Sequence, residues 1–177
     1  MTVIVLSKHG GYYHLTGDGR TSQDWMGIAS DNTIKVREGK NCIYGTCGKA
    51  AAKIVIAHML AKTQNPIKLL QMMHHKDYKD LLQDSTTLVA SPKYGCYTIQ
   101  ISNGHILSGK SHSIVTWDEG ALPQIIGSGF LSVRTLLSTI ENKDITLQVV
   151  NDAILSSYKV NHTIGGKITT VKIKAPK

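Results

Sequence analysis

The chain has 177 residues, 41% hydrophobic and 18% charged, with a formal net charge of +8. That length suits one domain, 1–177, with a real core, and no apolar run approaches the ~18–20 residues of a membrane span. The basic residues are scattered instead of gathered in a block or interleaved with aromatics, so the charge reads as solvated surface and nucleic acid is not an expected partner.

Three cysteines, Cys42, Cys47 and Cys96, form an odd set without C-x-x-C spacing. This argues against a disulfide framework and a zinc site and fits a reducing cytoplasm, the expected location. The opening "TVIVLS" is too short for a signal-peptide core and lacks a basic stretch before it. His74 and His75 are adjacent, so on a helix they point about 100° apart and do not make a metal pair. Neither a metal nor a cofactor is expected.

In chain order, "TVIVLSK" alternates and is β-branched, "HGG" supplies a turn and "YYHLTGDG" forms a second strand, giving a hairpin from Thr2 to Gly17. "NTIKVR", "EGKN" and "CIYGTCG" make another. After Gly48 the period changes, and "KAAAKIVIAHMLAK", apolar nearly all round, predicts a well-buried helix. Asn65 and Pro66 cap and start a second helix reaching about Gln83. Strands return in "TTLVAS", "CYTIQIS" and, after an Asn103-Gly104 turn, "HILSGK". The stretch "SHSIVTWDEGALPQIIGSG" mixes loop and strand. Helices at about Phe130–Glu141 and Thr146–Lys159 precede a last strand in "GGKITTVKIK".

Hairpin-linked strands make antiparallel sheets, and two helix pairs set between strand groups each need a sheet face to cover. The simple solution is an α+β protein built as a four-layer αββα sandwich, two antiparallel sheets between helix pairs. A two-layer α+β domain is the alternative from pattern alone.

Thr2 by itself says little, since a strand threonine behind an initiator methionine is commonplace. Five stretches change its weight: Thr2 opening "TVIVLS", then "GDGRTS", "IKVREGKNCIYGTCGKAAA", "QIIGSG" and "YKVNHTI". Together, in this order across nearly the whole chain, they resemble the proteasome β-subunit and HslV peptidase family of N-terminal nucleophile hydrolases. The resemblance implies a threonine-type endopeptidase that hydrolyses peptide bonds through an acyl-threonine ester once Met1 is removed. Its substrates would be peptides or unfolded polypeptides. It also implies a homo-oligomeric ring, a hexamer or heptamer stacked in pairs, with an ATP-dependent unfoldase as candidate partner.

The chemistry requires such a set. A threonine hydroxyl needs a base within hydrogen-bond reach, and the freed α-amine of the same residue, with an ordinary pKa of about 7.7–8.0, is one. By resemblance, Lys35 keeps a positive charge beside Thr2 and Asp18 pairs with Lys35. The backbone N–H of Gly48, at the mouth of a helix, serves the oxyanion, and Ser128 contacts the threonine amine.

Each has an ordinary reading as well: a turn aspartate, an outward strand lysine, a loop glycine and a cap serine. The sequence also departs from the family. Leu155 occupies the position of an acidic residue in the penultimate helix, with Asp152 one turn earlier, and Lys49 and Ala52 replace residues usual after the oxyanion glycine. The alternative reading is therefore a catalytically inactive proteasome-like ring or binding protein that keeps the fold.

Overall fold

The computed structural model describes residues 2–23, 27–74, 78, 84–102, 112–117, 122–162 and 164–176. Strands β1 (Ile4–His9) and β2 (Tyr12–Gly17) pair through the Gly10-Gly11 turn, and β2 also pairs with β11 (Thr169–Lys174). With β10 (Gln124–Ile126) they form an antiparallel sheet in the order β10-β1-β2-β11. A second antiparallel sheet runs β5 (Val36–Glu38), β6 (Ile43–Gly48), β7 (Ser85–Ser91), β8 (Gly95–Ser102), β9 (His112–Trp117).

Alternation along the strands creates the layers, because side chains on a strand point to opposite faces in turn. Ile4 and Leu6 of β1 meet Leu88 and Ala90 of β7 in a core between the two sheets. Val3 and Val5 face the other way, onto helices α3 (Phe130–Leu137) and α4 (Leu147–Ser157), through Val133, Val150 and Ile154. On the far side of the second sheet, Tyr44, Val89 and Tyr97 pack under α1 (Ala50–Lys62) and α2 (Pro66–Met73). Three apolar interfaces thus join four layers, the αββα sandwich. Each fully buried Leu, Ile or Val in them contributes roughly 1.5–3 kcal/mol of transfer free energy.

Local chemistry sets the helix starts. The Asn65 side chain accepts from the N–H groups of Ile67 and Lys68 at 3.0 and 3.1 Å, with Pro66 at the first position. Thr146 caps α4 through Val149.

Several elements differ from the sequence reading. Helix α1 buries only one stripe, Ala52, Val55, Ile56, Met59 and Leu60, while Ile54 is 73% exposed. The third helix stops at Leu137, and a 3-10 turn at Asn142–Asp144 follows. A small hairpin, β3 (Thr21–Gln23) with β4 (Gly27–Ser30), interrupts the stretch after Asp18. The third strand of the "TTLVAS", "CYTIQIS" series is β9, from His112. The Asn103-Gly104 turn, the "HILSGK" strand and the end of the second helix lie outside the described residues. Among the described residues no helix is long and apolar enough to cross a membrane.

Candidate active site

Ladder pairing of the first strand begins at Ile4, not at Thr2. The backbone of the two residues before it is engaged by loops instead. Thr2 N–H donates to Ser128 Oγ at 3.1 Å, and the Thr2 carbonyl accepts from Gly129 N–H at 3.3 Å. Val3 N–H donates to Asp18 Oδ1 at 2.8 Å, and Asp18 N–H returns a bond to the Val3 carbonyl at 3.1 Å. Thr2 is only 6% exposed, held between the Gly-Ser-Gly loop and the end of β2.

The Gly-Ser-Gly loop needs its glycines for contact with this strand. Gly127 has φ +98°, and a Cβ there would lie 2.0 Å from the Thr2 carbonyl oxygen. Only a residue without a side chain permits that approach. Ser128 between the two glycines is exposed, so its hydroxyl joins the Thr2 nitrogen to solvent.

Asp18 organises the interior of the site. Its side chain is fully buried, and its two oxygens accept four hydrogen bonds. Oδ1 takes Val3 N–H and Lys35 Nζ, each at 2.8 Å, while Oδ2 takes Arg20 N–H and Gly165 N–H, each at 3.3 Å. A buried carboxylate is tolerable only with this kind of satisfaction. One oxygen atom thereby ties Lys35 to the residue following Thr2.

The Lys35 side chain is 1% exposed and also donates to the Arg20 carbonyl. Burial lowers its pKa below the ordinary 10.5, and the charge and hydrogen bond of Asp18 oppose that shift without cancelling it. The ammonium is therefore closer to losing its proton than a surface lysine is.

Gly48 ends β6 beside Ser85 of β7, immediately before α1. It is exposed, has φ +110°, and a Cβ would stand 2.2 Å from the Asp84 carbonyl. The N-cap of α1, Lys49, supplies no side-chain bond and the first turn holds no acid, so no carboxylate of this helix offsets the positive end of its dipole.

The structure therefore joins Thr2 to Ser128 directly and Asp18 to Lys35 directly, with Val3 linking the two pairs. Gly48 belongs to the facing sheet, at the end of β6. Leu155 is 49% exposed, and Asp152, on the outer face of α4, accepts from Gln148 at 2.9 Å. Cys47 is half-buried, and burial raises its thiol pKa. Trp25 lies outside the described residues. Sequence reading did not single out Arg20, Asp31 or Gly165. Arg20 makes a two-pronged ion pair with Asp31, at 2.6 and 3.1 Å, and packs where a side chain on Gly165 would stand. This pair locks the segment after Asp18 to the one leading into Lys35.

Two antiparallel sheets between helix pairs define the fold class, a four-layer αββα sandwich. Within it, the chain has the fold of HslV and BPH. The eukaryotic HslV of Trypanosoma brucei matches with a TM-score of 0.70 at 15% identity, over 98% of this chain and 99% of that one. BPH of Thiobacillus denitrificans in complex with epoxomicin matches at 0.69 and 14% identity, over 99% of this chain and 100% of that one. A further BPH structure from the same organism gives 0.65 at 12%, over 98% of each chain. No protein-family model matches the chain, and no curated protein matches its sequence significantly. The likeness is one of fold.

Proposed function

We propose that the chain is a threonine-type endopeptidase whose nucleophile is Thr2, freed by removal of Met1. The observation that carries the reading is Asp18 Oδ1, which holds both Lys35 Nζ and Val3 N–H at 2.8 Å while Ser128 Oγ accepts from the Thr2 nitrogen. The freed α-amine takes the Thr2 hydroxyl proton, and Oγ attacks the peptide carbonyl. The Lys35 charge lowers the pKa of both groups, and Asp18 keeps that lysine oriented. Negative charge building on the carbonyl oxygen falls to the Gly48 N–H at the start of α1. Collapse breaks the C–N bond, with the proton passed to the departing amine, and water then releases the ester with the same amine as base.

The exposed apolar side chains of α3, Phe130, Leu131 and Leu136, support assembly into a closed ring. The family resemblance supports six or seven subunits, stacked in pairs.

The second reading, a ring or binding protein without turnover, draws on Leu155 and Asp152, which bring no carboxylate to Thr2. One experiment separates the two. Epoxomicin is held by the BPH structure, and an epoxyketone closes a ring on a hydroxyl and a free amine of one residue. Met1-free protein should gain one adduct on Thr2 by intact mass, and Thr2→Ala should abolish both adduct and peptide hydrolysis. Absence of adduct in Met1-free protein would overturn the peptidase reading.

A further inference from the structure

Next to the Asp18–Lys35 pair lies a cavity of about 210 Å3. Lys35 is part of its wall, and Lys35 is the residue that Asp18 Oδ1 ties to Val3, next in the chain to Thr2. Other walls come from Arg37 of β5, Tyr44 and Thr46 of β6 and Lys53 of α1, and from the exposed apolar side chains of Ile34 and Ile54. The volume lies below that of a drug-sized pocket and suits a single side chain.

The charges of this lining are one-sided. Three lining residues are cationic and none is acidic. Asp18 pairs with Lys35, but Arg37 and Lys53 form no ion pair among the described residues. Burial lowers the pKa of Lys53, and the Arg37 charge adds to the effect against the pull of Cys47 and Asp18. Thr46, the small polar residue of the wall, already shares its hydroxyl with Thr87 at 3.0 Å. Polar recognition of a guest therefore falls to the cations, and an incoming carboxylate would meet the half-buried Lys53 with the exposed Arg37 beside it.

We propose that Lys53, with Arg37 beside it, selects substrates carrying Glu or Asp at the residue whose carbonyl is attacked. This rests on the peptidase reading of Thr2. The carbonyl must sit between Thr2 and the Gly48 N–H that opens α1. Lys53 and Ala57 lie in the first two turns of that helix, so the side chain of the acyl residue falls toward them. A leucine there would gain contact with Ile34 and Ile54 but leave the cations without counter-charge. A lysine would add a fourth positive charge.

The test uses Met1-free protein and fluorogenic peptide amides that differ only in the last residue before the scissile bond. Glu and Asp should exceed Gln, the uncharged isostere of Glu, by roughly tenfold or more in kcat/KM, and the ratio should fall as salt screens the charges. Lys53→Glu should invert the order in favour of the Lys substrate, and Lys53→Met should bring Glu and Gln together. Equal turnover of Glu and Gln substrates by the unaltered protein, or a Glu preference surviving in Lys53→Glu, overturns the proposal while leaving the peptidase reading intact. Paired epoxyketones ending in Glu or Leu give the same comparison as a labelling rate, and faster labelling by the Leu reagent also overturns it. Failure of every substrate and both reagents overturns the peptidase reading and this proposal with it.

Discussion

Replacing Asp18 by Asn tests whether the buried ion pair is the keystone of the site. The asparagine carbonyl can still accept at the Oδ1 position, but its NH2 group would face the N–H groups of Arg20 and Gly165, two donors against a donor. Lys35, with its side chain 1% exposed, would lose its counter-charge. Breaking one partner out of a buried pair costs about 3–5 kcal/mol. At a typical urea slope of ~2–3 kcal/mol/M, this moves the midpoint down by roughly 1–2.5 M. Lys35→Met alone should cost a similar amount, because Asp18 then keeps its backbone donors but not its cation. In the double variant no buried charge is unpaired, so the losses should overlap, with a coupling energy of about 2 kcal/mol or more. Urea melts at fixed protein concentration, followed by circular dichroism, measure all four corners. Losses below about 1 kcal/mol that simply add would refute the pair as a buried, mutually dependent unit. The pH dependence has a definite sign. The folded-state pKa of Lys35 lies below 10.5, so across the window from that lowered value up to 10.5 the unfolded chain holds more protons, and stability rises with pH. Without Asp18 the folded pKa drops further, the window opens downward, and the Asp18→Asn deficit should shrink as the solution is made alkaline.

Gly127→Ala should disable the site more than the fold, because its Cβ is aimed at the Thr2 carbonyl. The positive φ alone costs about 1–3 kcal/mol by urea melt, and epoxyketone labelling of Thr2 should be lost. Ser128→Ala removes the acceptor for the Thr2 nitrogen at an exposed position. It should change stability by no more than about 1 kcal/mol, and the labelling rate should fall by on the order of 100-fold. Burial pushes the Cys42 thiol up to about 11, so native protein at pH 8 should resist iodoacetamide at Cys42 and react there only after unfolding, as read by peptide mass.

What the sequence revealed depended on whether a residue's partner was local. The turns, caps and period changes that delimit strands and helices are near-neighbour effects, so the Gly10-Gly11 turn and the Asn65 cap are legible directly. The Asp18–Lys35 pair spans 17 residues, and its geometry was expected only through the resemblance of "GDGRTS" and "IKVREG" to a known arrangement. Lys53 had no such help. A lysine on an apolar helix reads as a solvated stripe, and only the packing of α1 over β5 and β6 shows that it borders a cavity. The same limit explains Ile54, whose exposure no period could reveal in a segment apolar nearly all round. Thr2 and Val3 look like strand residues by composition. They leave the ladder because Asp18 and Gly129 capture their backbone groups.

The proposed site is a product of the sandwich more than of either sheet. Thr2 leads into the first sheet, whereas Lys35 immediately precedes β5, an edge strand of the second, and Gly48 ends β6. Bringing them together would require the two sheets to pack closely, and the sequence places two glycines between them. A Cβ on Gly17 of β2 would stand 3.1 Å from Val36 Cγ1 and 3.5 Å from Lys35 Cβ. One on Gly45 of β6 would stand 3.0 Å from Ile4 Cγ2 and 3.1 Å from the same Val36 methyl. Val36 and Ile4 thus interlock through gaps left by facing glycines, directly beside Lys35 and two residues from Thr2. Packed interiors do not deform smoothly, so this interlock fixes the reach of the lysine toward Asp18. Core packing between the sheets and placement of the charged groups are therefore one problem, solved by the same few residues.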